Sequence, residues 1–165
     1  LAPGLGATAA LTLARGPESY TAVERDQDAA ASLRSVVEPH GGVCRQGTAE
    51  ETGLADGSAT VVYGEAMLTM QTSAHKTAIV REAARVLEQG GRYGIHELCL
   101  APDDLDEEVK AQVLADLSRE VHVGVRPLTL AEWRALLESE GSLYNGPVRP
   151  PCICLSRAGC CSTRA

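Results

Sequence analysis

Gly4 and Gly6 stand two positions apart in the opening stretch Leu1-Ala2-Pro3-Gly4-Leu5-Gly6. A glycine turn between a strand and a helix brings backbone N–H groups and a helix N-terminus against a ligand, and the missing Cβ lets that ligand approach. By itself the turn is equally well read as purely structural. Glu24 follows Gly6 by eighteen residues, at the end of the short apolar run Tyr20-Thr21-Ala22-Val23, with Arg25 next to it. An acid about 20 residues beyond the turn is placed to accept hydrogen bonds from ribose hydroxyls. Together they point to an adenosine-type ligand touched by Ala2, Pro3, Gly4, Leu5, Gly6, Glu24 and Arg25. Gly47-Thr48-Ala49-Glu50-Glu51 is a loop in which Thr48, Ala49 and Glu50 can cover an adenine edge, and it reads equally well as a polar lead-in to a turn.

Glu65 and His96 fall at the carboxyl ends of neighbouring predicted strands, the edge where ligands bind in open α/β sheets. His96 can serve as a base or orient an acceptor hydroxyl, with Glu97 beside it; the alternative is a half-buried His satisfied by backbone. His40, His75 and His122 lie in loop or helix contexts and are read as structural.

Strand-like and helix-like segments alternate along the chain. A helix is expected over about 5–15 with Ala7, Ala10, Leu11 and Ala14 on its apolar side, stopped by Gly16-Pro17. Short strands are expected at 20–24, 43–46, 59–64 and 92–96. Helices are expected at about 27–37, 73–88, 105–120 and 128–140. In the helix over 73–88, Ile79, Val80, Ala83, Val86 and Leu87 line one side, and Arg81, Glu82, Arg85 and Glu88 the other. Thr129 with Glu132 three residues on forms a capping box.

The 165 residues, 44% hydrophobic, favour one α/β domain over about 1–141. A core almost free of aromatics (3%, no Phe) must be built from Leu, Val, Ile and Ala. With a net charge of −7 and only two Lys among scattered Arg, no nucleic-acid partner is expected. No apolar run of about 18 residues predicts a membrane helix. No signal peptide is visible, so the cytoplasm is the expected compartment. Cys152, Cys154, Cys160 and Cys161 crowd an irregular Pro-rich tail over 142–165; their spacing is poor for tetrahedral zinc, and no metal site is expected. Cys44 and Cys99 read as small buried hydrophobes.

The order of segments resembles the class I S-adenosylmethionine-dependent methyltransferases, across about 1–141. Leu1-Ala2-Pro3-Gly4-Leu5-Gly6 is similar to their first motif and Tyr20-Thr21-Ala22-Val23-Glu24 to the strand ending in the ribose-binding acid. Gly47-Thr48-Ala49-Glu50 resembles the adenine loop, with Thr48 where Asp is usual. Ala59-Thr60-Val61-Val62-Tyr63-Gly64-Glu65-Ala66 resembles the fourth strand and its exit. Ala83-Ala84-Arg85-Val86-Leu87-Glu88-Gln89-Gly90-Gly91-Arg92 is the most specific stretch. The resemblance implies a Rossmann-like αβα sandwich with a mainly parallel sheet, S-adenosylmethionine as donor, and a small-molecule methyl acceptor, closest to the quinone-biosynthesis branch. It also implies that Gly64 and Glu65 line the donor or acceptor pocket. In that family a strand precedes the glycine turn, so the chain is expected to be a fragment whose first strand is missing or only a stub, binding donor weakly.

The exit Tyr63-Gly64-Glu65-Ala66 lacks the Asn/Asp-Pro-Pro-aromatic motif of amino-methylating nucleic-acid enzymes. Two alternatives stay open: a nicotinamide-dependent oxidoreductase, since Gly4-x-Gly6-x-x-Ala9 fits the dinucleotide pattern, and a non-catalytic remnant. Against the oxidoreductase stand the Gly90-Gly91 turn and the absence of a Tyr-x-x-x-Lys pair.

Overall fold

The computed structural model describes residues 1–4 and 6–140. Helices α1 (Ala7–Leu13), α2 (Gln27–Val37), α3 (Ser73–Val86), α4 (Glu107–Glu120) and α5 (Leu130–Ser139) alternate with strands β1 (Thr21–Glu24), β2 (Val43–Gln46), β3 (Ala59–Glu65), β4 (Leu87–His96), β5 (Cys99–Leu100) and β6 (Leu128–Thr129). Every strand pair is parallel: β1 with β2, β3 with β4, and β5 with β6. The mixed α/β expectation therefore holds, with parallel strands connected through helices.

Three apolar clusters hold the fold. Ala9, Leu13, Ala22, Ala30, Leu33, Val37 and Cys44 join α1 and α2 to β1 and β2. Val62, Ala83, Val86 and Leu87 join β3 and β4 to α3. Met67, Leu68, Ile79 and Trp133 tie the segment after β3 to α3 and α5. Asp26 caps α2 by accepting from the amides of Asp28 and Ala29, as a short acidic side chain does at a helix start. Thr129 and Glu132 form the expected capping box on α5.

Between β1 and β3 the backbone is bridged by the start of the chain, and the Tyr20 and Tyr63 hydroxyls meet at 2.9 Å beside it. The nitrogen of Leu1 donates to the Tyr63 carbonyl at 2.7 Å, and Ala2 N–H donates to the Val23 carbonyl at 2.9 Å. Leu1 and Ala2 thus sit as a two-residue stub between the two strand pairs.

Several sequence expectations need correction. The buried side of α1 is Ala9 and Leu13; Ala7, Ala10 and Ala14 are exposed, and Leu11 is 71% exposed. The helix is two turns long, so a shift of two residues reverses the face. On α3 the apolar row is buried as expected, but Glu82 lies buried too, at 8% exposure, because it has hydrogen-bond donors waiting for it. α3 ends at Val86, two residues early: Leu87 turns to extended backbone and pairs with Ala59, so β4 begins before the Gly90-Gly91 turn. Cys44 is buried in the core while Cys99 is only half-buried. Leu5 and the Cys-rich tail, with its boundary at 141, lie outside the described residues.

Candidate active site

The glycine turn, the end of β1 and the loop after β2 meet at one edge of the fold. Ala2 holds Val23, the neighbour of Glu24, and Gly47 N–H donates to the Glu24 carbonyl at 3.0 Å. Gly6 adopts φ 82°, and a Cβ there would meet Leu33 Cδ1 at 3.0 Å, so only glycine lets α1 start this close to α2. Gly4 is also left-handed, at φ 53°, and Gly6 N–H closes the turn on the Pro3 carbonyl at 3.0 Å. Ala2 itself sits at φ 45°, a region sparsely used by residues with a Cβ.

Glu24 is buried, and its Oε1 accepts from the amides of Arg25 and Asp26 at 2.9 and 3.1 Å. These bonds aim the carboxylate along the strand end. The Arg25 side chain is exposed beside it. Thr48 to Glu51 arch over from Gly47, with Glu51 N–H on Thr48 Oγ1 at 3.2 Å. Ala2 and Ala49 both pack against the Met67, Leu68, Ile79 and Trp133 cluster, so turn and arch converge on the segment after β3. Gly64 keeps that convergence open: a Cβ there would stand 3.0 Å from Met67 Sδ and 3.8 Å from the Leu1 carbonyl.

Glu65 and His96 are register partners on β3 and β4, which places their side chains together. His96 Nδ1 lies 3.3 Å from Glu65 Oε1, and the Thr8 hydroxyl donates to Glu65 Oε2 at 2.5 Å. The Thr8 bond first, then His96, holds the Glu65 carboxyl below the usual carboxylate range. With Nδ1 turned to a carboxylate, Nε2 of His96 is the nitrogen left to face a ligand. About half of each side chain is exposed.

Glu97, expected beside His96 in the same task, is turned elsewhere. Successive side chains on a strand point to opposite faces. Its carboxylate accepts from the amides of Met67, Leu68 and Thr69 at 3.0, 2.9 and 2.9 Å and from the Thr69 hydroxyl at 2.7 Å. It caps the 3₁₀ turn Leu68–Met70 and so fixes the wall next to Gly64. Ala66, at φ 51°, enters this turn with its N–H on the His96 carbonyl at 2.8 Å.

Sequence reasoning missed two residues here. Thr8 lies two positions past the glycine turn, and only the fold reveals that α1 carries it to the tip of β3. His75, read as structural, stands 3.4 Å from Glu50 of the arch. Among the described residues no His/Cys/Asp/Glu cluster has the makings of a metal site, and no helix is long and apolar enough to cross a membrane.

Comparison with known proteins agrees with this geometry. Residues 1–95 match the methyltransferase domain family. An uncharacterised protein of Haemophilus influenzae is 27% identical over 123 residues, 72% of this chain and 47% of its own length. A provisionally assigned methyltransferase of Bacillus halodurans superposes with a TM-score of 0.73 at 22% identity, covering 85% of this chain and 59% of its own. The YcgJ protein of Bacillus subtilis superposes with a TM-score of 0.64 at 26% identity, covering 84% and 58%. Geranyl diphosphate C-methyltransferase of Streptomyces coelicolor, crystallised with Mg2+, geranyl diphosphate and S-adenosyl-L-homocysteine, gives a TM-score of 0.67 at 15% identity, covering 84% and 51%. The chain thus spans about half the length of the relatives it matches. With the glycine turn, Glu24 and the arch on one edge of parallel strands, and the family match running through all three, this chain belongs to the methyltransferase domain family.

Proposed function

We propose that the chain forms the donor-binding part of an S-adenosylmethionine-dependent methyltransferase acting on a small molecule in the cytoplasm. The observation that carries this reading is the convergence of the glycine turn, Glu24 and the Thr48–Glu51 arch. Glu24 takes the ribose hydroxyls, Thr48, Ala49 and Glu50 border the adenine, and Ala2 to Gly6 with Gly64 follow the methionine end. Arg25 flanks the ribose. The domain is taken to run over about 1–141. The small-molecule, quinone-like branch is supported by the sequence resemblance, and the net charge of −7 speaks against a nucleic-acid acceptor.

The donor's sulfonium already activates its methyl group, so the protein must align an acceptor and exclude water; alignment contributes up to about 7–11 kcal/mol in favourable cases. His96, oriented through Nδ1 by Glu65, takes the proton of a protic acceptor at Nε2. Glu65, fixed by Thr8, keeps the imidazole in that orientation.

Thermal shift tests the donor site. S-adenosylhomocysteine should raise the melting temperature and NAD should not, and Glu24→Ala should remove the shift. Stabilisation by NAD alone overturns the assignment. With tritiated donor and a panel of phenols and hydroquinones, His96→Gln should lower turnover on the order of 10²-fold while S-adenosylhomocysteine binding stays unchanged. Equal turnover by the variant removes His96 from the chemistry.

A second reading, a non-catalytic domain, draws on one observation: among the described residues the backbones of β1 and β3 are bridged by Leu1 and Ala2 and are not paired with each other. Absence of any shift with S-adenosylhomocysteine favours it.

A further inference from the structure

The Thr48–Glu51 arch has two feet. The near one is the Gly47 amide on the Glu24 carbonyl. The far one is Thr52, which is 5% exposed, and its partner is on α3 rather than on either strand it connects. Thr52 N–H and its hydroxyl both donate to Glu82 Oε1, at 2.8 and 2.6 Å. Arg85 Nη2 and Nε donate to Glu82 Oε1 and Oε2, each at 2.7 Å. The same guanidinium holds the Leu54 carbonyl at 2.8 Å and pairs with Asp56. Gly57 N–H closes the loop on the Arg85 carbonyl at 3.0 Å.

We propose that Glu82 is a positioning residue for donor recognition: by clamping Thr52 it presets the arch that borders the adenine, though it touches no donor atom. The proposal rests on the donor reading given above. A buried carboxylate satisfied by four donors is a rigid anchor, since leaving any of them unpaired carries a desolvation penalty. An arch fixed at both ends does not have to be ordered when ligand arrives, and that ordering cost is one of the main drains on affinity. Between the feet, Ala49 rests on the Met67–Trp133 cluster, so freeing Thr52 leaves that contact, the Gly47 bond and the exposed His75–Glu50 pair to hold the arch. An amide in place of the carboxylate keeps one acceptor for Thr52 and turns an NH2 toward Arg85, which opens the clamp.

The test uses the whole chain, with Glu82→Gln and the milder Thr52→Val, which keeps the Glu82–Arg85 pair. Calorimetry measures affinity for S-adenosylhomocysteine and for its inosine counterpart, which differs only at the adenine edge. Hydrogen exchange of ligand-free protein reads the amides of 48–52 against those of β1 and α3. Glu82→Gln should weaken S-adenosylhomocysteine at least tenfold, pull the adenosine-over-inosine preference toward one, and speed exchange at 48–52 alone. Thr52→Val should move all three in the same direction by a smaller factor. A preference kept intact in both variants, or unchanged exchange at 48–52, overturns the proposal. Weakening of both ligands by the same factor also overturns it, because that is what a merely structural role gives, whatever the fall in melting temperature. Wild-type protein that binds neither ligand refutes the donor reading, and with it the role of the arch; the exchange experiment still reports whether Glu82 holds Thr52, so the two failures are told apart.

Discussion

The hydroxyl of Tyr93 on β4 is buried with no hydrogen-bond partner among the described residues. Its ring packs against the Val62–Leu87 cluster, and burial pushes the phenol well above its ordinary value. A buried hydroxyl without a partner costs about 1–3 kcal/mol in desolvation, whereas its removal keeps the apolar ring in place. Tyr93→Phe is therefore expected to leave stability equal or up to about 1 kcal/mol higher, read from the midpoint of a urea melt. A loss of more than that shows that the hydroxyl has a partner. At this scale the sequence was legible where chemistry is tied to spacing. Gly6 and Glu24 stand the right number of residues apart for a turn and a strand end on one edge, and Ala2 bonds Val23, the neighbour of Glu24. Glu65 and His96 were placed at the ends of neighbouring strands, but the contact between their side chains was not legible in the same way. It depends on the register of β3 against β4, and the neighbour in sequence, Glu97, was the more obvious partner. Thr8 was invisible for the same reason: its role comes from where α1 lands.

The loop Thr52–Gly57 and helix α3 behave as one element, held by the Glu82 carboxylate. That carboxyl is held down to about 2, chiefly by the Arg85 hydrogen bond, with the two Thr52 bonds also lowering it against the opposing effect of burial. An unfolded Glu titrates near ~4.3. A depressed folded value means that the clamp stabilises fully above the unfolded value and that its contribution fades as pH falls from ~4.3 through about 2. The melting temperature of wild type should therefore exceed that of Glu82→Gln at pH 6, and the gap should close on acidification across that window. A gap that stays constant to pH 2.5 means that the carboxylate is not the source. Helix positions and types were well marked by periodicity and caps, α2 and the capping box of α5 above all. Faces were marked less well. Two-turn α1 is too short for periodicity to choose between Leu11 and Leu13. On α3, hydropathy alone assigns Glu82 to solvent, since nothing in its immediate neighbours announces that Thr52 arrives from thirty residues away. The first residues of β4 hid behind a helix-like pattern, because Leu87 continues the apolar row of α3 while pairing with Ala59.

For the molecule as a whole, the α/β alternation read from the chain agrees with the fold and the family, since buried parallel strands and amphipathic helices differ in period. How the parts would assemble was not in the pattern. The chain divides into a β1–β2 half with α1 and α2, and a β3–β4 half with α3, each with its own apolar cluster. Leu1 and Ala2 lie at the seam between them, with one backbone hydrogen bond to each side, and the Thr8–Glu65 and Tyr20–Tyr63 bonds cross it too. The same few residues lead directly into the glycine turn. On the donor reading proposed above, a nucleoside seated there would act as a rivet, so that loading the site is expected to stiffen the joint on both banks of the seam.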